Sequence, residues 1–253
     1  MELGILTYIL LWFTGFFAGF VDSIAGGGGI ITIPVFLAVG FDPHLALGTN
    51  KLQATFGSLT ASAHYARNGL VDIKHTVEGV VFTAVGATAG TVAVQMIDSS
   101  FLEHIIIPML AVVFIYMLFS PDPGHVDKKP RLKIATFYLI AGLIIGFYDG
   151  FFGPGTGSFW AVSFIFFLGY NLKKATAHTK IMNFTSNIIS LTAFIIGKNV
   201  LFLPGVIMGT GQLVGATIGS HLVIRKGTKF IRYFFLAVVA VTIAKLIHST
   251  YIK

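Results

Sequence analysis

The chain has 253 residues, of which 55% are hydrophobic and 11% charged, with a mean hydropathy of +0.85. A soluble domain carries about 25% charged residues, so these values exclude a soluble globular protein and indicate an integral membrane one. The net charge of +7 does not indicate nucleic acid as a partner, because the lysines and arginines sit in short loops between apolar runs, the pattern that orients membrane proteins.

Cysteine is absent, which excludes disulfides and thiolate chemistry. The first apolar run, 4–21, could pass for a signal peptide with Ser23-Ile24-Ala25 as its cleavage site. It has Glu2 and no basic leader, and its glycine motif recurs later, so it is read as a membrane segment. The remaining segments are predicted at 28–40, 44–66, 76–97, 101–119, 132–150, 156–169, 173–196, 200–223 and 230–248, ten in all. The segments 28–40 and 156–169 are short for a hydrocarbon core of ~30 Å at about 1.5 Å per residue. Each follows a glycine-rich break, Gly26–Gly29 and Gly153–Gly157. Free backbone N–H and C=O groups at membrane depth survive only under protein cover or along a cavity.

The two short segments fall at matching places because the chain repeats itself. Gly15 to Asp22 aligns with Gly142 to Asp149 at an offset of 127, and Ala46 to Lys51 aligns with Ala175 to Lys180 at 129. The predicted organisation is a first membrane repeat over 1–120, a basic cytoplasmic linker over 121–131 and a second repeat over 132–253. If all ten segments cross, twelve of the seventeen basic residues collect on one side, from Arg67 and Lys74 through the linker lysines to Arg232. Re-entrant short segments would instead put Arg225 to Arg232 opposite the linker, against the orientation rule. Five crossings per half is an odd number, so the second repeat enters the membrane inverted. The predicted fold is therefore all-α, with two inverted five-segment repeats. Matching glycine-interrupted segments in two such halves mark a transporter binding site.

Lys51 lies about 12 Å into its segment, and Lys180 lies at the repeat-related depth. One lysine alone reads as a side chain snorkelling to the headgroups; two at equivalent positions beside glycine breaks favour a shared anion site. Lys245, near the C-terminal end, is read as snorkelling. Lys180, Asn183 and Asn187 share one helix face, with Ser186 and Ser190 nearby; Asn50, Gln53 and Gly57 repeat that stripe more weakly, flanked by Thr49 and Ser58. Interhelical hydrogen bonding is the alternative use of such groups. Helices restarting after the breaks would aim free N–H groups and positive dipole ends at the gap, adding Gly28, Gly29, Gly155 and Gly157 as binding positions. The ammonium groups and dipole ends suit a small oxyanion and repel Na⁺ or K⁺.

Asp22 and Asp149 are repeat-related and end the first segment of each half. An acid at this depth is a functional candidate, either coupling a proton or serving as a gate partner for Lys51 or Lys180. The alternative is a helix cap. His178, directly before Thr179 and Lys180, is placed with them as a substrate contact. His44, His64 and His221 are read as packing or interface residues. No histidine pair has metal-ligand spacing, so no metal site is expected.

The order of a glycine run, Ile-Pro, Ala46-Leu47-Gly48-Thr49-Asn50-Lys51, a basic loop and then Ala175-Thr176-Ala177-His178-Thr179-Lys180 with Asn183, Ser186 and Asn187 resembles the TauE/SafE family. The likeness covers nearly the whole chain. It implies an inner-membrane carrier of sulfur-containing anions such as sulfite, thiosulfate or organosulfonates, with no cofactor and no covalent chemistry. His178 where the first half has Thr49, and Pro154 within the second glycine run, depart from symmetry. A passive anion channel or a carrier of small carboxylates on the same scaffold is the alternative; a membrane enzyme is disfavoured, since no nucleophile–base pair or cofactor motif occurs. The expected partners are a small anion, the lipid bilayer and a proton. Oligomeric state, including a homo-oligomer, is left open.

Overall fold

A computed structural model describes residues 3–119 and 126–226. The predicted segment 230–248, with Lys245, and linker residues 120–125 lie outside the described residues. The described residues form α1 (Ile5–Ala25), α2 (Gly28–Ala38), α3 (Pro43–Arg67), α4 (Ile73–Gln95), α5 (Ser99–Phe119), α6 (Ile134–Phe151), α7 (Thr156–Leu168), α8 (Leu172–Ile196) and α9 (Phe202–Lys226). Each meets one predicted segment, with ends displaced by a few residues.

Local chemistry sets the helix starts. Asp42 accepts a hydrogen bond from the His44 N–H at the head of α3, where Pro43 takes the first helical position. Asn171 caps α8 by accepting from the Lys174 N–H, and Asp72 caps α4 by accepting from the His75 N–H. The breaks depend on backbone that side chains rarely adopt. Gly27 before α2 and Gly155 before α7 both have positive φ, 117° and 80°.

Burial is arranged for lipid rather than water. The helices α1, α4, α6 and α9 are long and apolar enough to cross a membrane. They turn large apolar side chains outward: Ile5, Leu6 and Ile9 on α1, Val81 and Val85 on α4, Ile140 and Ile144 on α6, Leu203 and Ile218 on α9. The polar helices α3 and α8 lie against each other. They bury Asn50, Lys51 and Gln53 on one side, and Lys180, Asn183 and Ser190 on the other. Polar groups inside and aliphatic groups outside is the order a bilayer imposes.

The outer helices pair crosswise. α1 packs chiefly on α9, and α6 chiefly on α4. At these seams Gly215 and Gly219 of α9 lie against the Phe16 and Phe20 carbonyls of α1, leaving no room for a Cβ. Gly86 and Gly90 of α4 lie in the same way against the Leu143 and Phe147 carbonyls of α6. Small residues of this kind let helix backbones approach where no hydrophobic force drives association.

Candidate functional site

The two glycine breaks meet at the centre of the molecule. A Cβ built on Gly157 would approach Gly26 too closely for any side chain, and one built on Gly29 would stand 3.3 Å from Pro154. The second elements of the two halves, α2 and α7, therefore begin beside each other, at Gly28 and Thr156. Beside them is a cavity of about 30 Å³.

Two ion pairs join α3 to α6 and α8 to α1. Lys51 of α3 donates to Oδ1 of Asp149 on α6 at 2.7 Å, and also to the Asp149 backbone carbonyl. Lys180 of α8 donates to Oδ2 of Asp22 on α1 at 3.0 Å. Both lysine side chains are buried, with 1% and 0% exposure. The sequence allows Asp22 and Asp149 to be proton carriers, caps or gate partners; in the structure both are partners of a lysine. Asp22 is also the cap, since its Oδ1 accepts from the Gly27 and Gly28 N–H groups at 3.0 and 3.2 Å. These charges cancel: two ammonium groups face two carboxylates. Each ammonium group expected at the gap therefore faces a carboxylate.

Asn50 is turned by its neighbours. Its Oδ1 accepts from the Thr32 hydroxyl at 2.6 Å and from Gln53 Nε2 at 2.7 Å. Those two donors fix the amide orientation and leave the NH₂ group for the cavity that Asn50 lines. Gln53 thus supports the wall from behind it. Opposite, Asn183 and Asn187 line the cavity; the buried Oδ1 of Asn183 has no partner among the described residues, and Asn187 Nδ2 reaches Ser58 at 3.4 Å.

Of the residues singled out in the sequence, Asp22, Gly28, Gly29, Asn50, Lys51, Asp149, Gly157, Asn183 and Asn187 line the cavity. Lys180 adjoins it through Asp22. Thr179, Gly155 and His178 do not line it. The Thr179 hydroxyl is buried without a partner, and the position a Cβ would take on Gly155 faces Val113 of α5. His178 is engaged elsewhere: its Nε2 accepts from the Asp72 N–H at 3.2 Å and its Nδ1 meets the Lys174 carbonyl at 2.8 Å. It fastens the head of α4 to α8. Thr49, its repeat-related counterpart, accepts from the Leu201 N–H at 3.0 Å at the head of α9.

The sequence reading did not single out Gln212 of α9, which lines the cavity with a buried Oε1 that has no partner among the described residues. It reaches inward because Gly19 and Gly57 leave its slot open. A lone glutamine in an apolar helix reads as interhelical glue, and only the opposing glycines signal its course. Among the described residues no cluster of three or more metal-ligating side chains occurs.

Comparison with known proteins settles the lineage. The family model described as Sulfite exporter TauE/SafE matches residues 11–246. The chain belongs to the TauE/SafE family. It is 43% identical over 242 residues to the probable membrane transporter protein YfcA of Escherichia coli (strain K12), covering 96% of this chain and 90% of that one. It is 40% identical over 249 residues to a probable membrane transporter protein of Haemophilus influenzae, covering 98% of both. A relative from Sinorhizobium sp, probable membrane transporter protein ORF9, is 42% identical over 234 residues, 92% of this chain and 89% of that one. This TauE/SafE member is a multi-pass membrane protein of transporter type.

Proposed function

We propose that this TauE/SafE protein is a secondary carrier of a small sulfur-containing oxyanion, such as sulfite, thiosulfate or a small organosulfonate, working by alternating access. Its halves, 1–120 and 132–253, are two inverted five-segment repeats joined by the basic segment 121–131. The observation that carries this reading is the exchange of ion pairs. Lys51 of the first half holds Asp149 of the second, and Lys180 of the second holds Asp22 of the first. The crosswise helix seams and the paired anchors Thr49–Leu201 and His178–Asp72 follow the same exchange. A central site built equally from two halves is what a rocking mechanism needs.

The anion would take the ammonium group of Lys51 and the Asn50 NH₂ group, with Lys180 adjoining through Asp22. Lys51 is held by Asp149, so binding of the anion to its ammonium requires that ion pair to part. The family description supports the sulfur-anion class; small carboxylates share the charge and remain a comparison substrate.

The test is flux of sulfite, thiosulfate, sulfoacetate, acetate and lactate into liposomes carrying the purified protein. Removing one lysine leaves its carboxylate buried and unpaired, at a cost of about 3–5 kcal/mol, so the informative variant is Lys51→Met with Asp149→Asn. That pair is expected to keep the fold and lower flux at least tenfold, in line with the roughly 1.5–3 kcal/mol of a charged hydrogen bond. Wild-type flux of none of the sulfur anions would sink the reading.

A further inference from the structure

The two ion pairs are related by the repeat but are not equivalent, and their difference assigns them separate tasks. Asp22 has both oxygens engaged. Oδ1 accepts from two backbone N–H groups at the start of α2 and Oδ2 accepts from Lys180. A proton on Oδ1 would displace a capping N–H, and one on Oδ2 would break the charge pair and free the helix start. Asp149 caps nothing. Its Oδ1 carries Lys51, and apart from Lys51 only the Ser186 hydroxyl is placed to bond the carboxylate among the described residues. Lys51, unlike Lys180, has a second acceptor on the same residue, the Asp149 carbonyl. It can lose the carboxylate and still be held at the cavity wall.

Electrostatics then forces a choice. The buried site is neutral, so an entering anion brings an uncompensated charge into a region from which water is largely excluded. That burial is unfavourable unless a positive charge arrives with it. We infer that Asp149 is the proton carrier: a proton from the aqueous phase binds the carboxylate oxygen that Lys51 does not hold, the neutral carboxyl releases Lys51, and the anion takes the ammonium. One proton moves per anion, Lys51 stays protonated, and Asp22 remains the fixed counter-ion that holds α2 and Lys180.

The groups facing Asp149 leave it without a competitor. α3 presents Lys51, and α1 presents Asp22. The other ammonium, Lys180 on α8, is committed to Asp22. α4 and α8 otherwise contribute the hydroxyls of Thr91, Ser190 and Ser186, the first two bonded to each other at 2.8 Å. α7 contributes Thr156, whose hydroxyl donates to Gly153 at 2.6 Å. Tyr148, the neighbour on α6, donates its hydroxyl to the Pro154 carbonyl.

This inference rests on the carrier reading, and two measurements separate their failures. The first needs no substrate: infrared difference spectra of the purified full chain between alkaline and acidic buffer, reporting the carbonyl stretch of a carboxyl that becomes protonated in a dry environment. Wild type and Asp22→Asn are expected to show the band, and Asp149→Asn to lose it; Asp149→Glu should restore it at a shifted frequency. If Asp149→Asn does not fold, the charge-balanced Lys51→Met/Asp149→Asn variant replaces it. A band absent from wild type, or lost in Asp22→Asn and kept with Asp149 replaced, overturns the assignment. The second is thiosulfate flux with and without an inward proton gradient. Stimulation is expected in wild type, and whatever flux Asp149→Asn retains should ignore the gradient. Gradient-blind wild-type flux would reject coupling while sparing the carrier. A normal infrared result with no flux of any sulfur anion would reject the carrier reading and leave Asp149 as a buried proton site.

Discussion

Single residues at the cavity divide into those that meet the anion and those that hold the wall, and the division is testable. Gln212 belongs to the first group because its amide is buried, partly unpartnered and admitted by two glycines. Gln212→Ala is expected to raise the half-saturating anion concentration about tenfold, the equivalent of one hydrogen bond of roughly 1–1.5 kcal/mol. An unchanged value in a flux titration would remove it from the site. His178 belongs to the second group. His178→Ala should lower thermal stability by about 1–3 kcal/mol, because the Asp72 N–H loses its acceptor. Its effect on half-saturation should be small, and a large one would restore His178 to the anion's contact shell. The lysines were legible in the sequence because a charge at membrane depth has few reasons to exist. Which acid each one meets was not, since Lys180 and Asp22 are 158 residues apart and nothing local encodes that distance. His178 misled for the opposite reason. Adjacency to Lys180 along a helix turns neighbouring side chains to different faces.

At the level of elements, nearly every described helix was readable from apolar run length, glycine breaks and caps such as Asp42-Pro43. What the sequence could not supply was which glycines of the two breaks touch. Glycines at 26–29 and 153–157 are explained individually by backbone freedom, yet Gly157 lies within a helix and needs no unusual φ. Its requirement is space, because Gly26 of the other half lies against it. Gly157→Ala is therefore expected to cost about 1–3 kcal/mol through overpacking. Gly4→Ala meets nothing within 4 Å and should leave the melting temperature nearly unchanged. Thermal unfolding of the two variants in detergent checks the contrast; equal midpoints would mean that the crossing yields easily and does not fix the two helices.

For the molecule as a whole, crosswise construction holds two helix heads in the same way. Thr49 clasps the head of α9, and His178 clasps the head of α4. In the alternating-access reading proposed above, the two ion pairs and the two clasps are the contacts that would have to part in turn. A carrier must open one clasp at a time, whereas a channel opens both. Because the chain has no cysteine, Ala54→Cys on the cavity wall gives a single thiol with no background. In sealed vesicles of known orientation, a membrane-impermeant maleimide should label it from the side that holds less thiosulfate, and labelling should slow as thiosulfate is raised on that same side. Reversing the anion gradient should reverse the accessible face. Equal labelling from both faces, indifferent to the gradient, would show a continuous pore, and the paired clasps would then be interhelical bonds and nothing more.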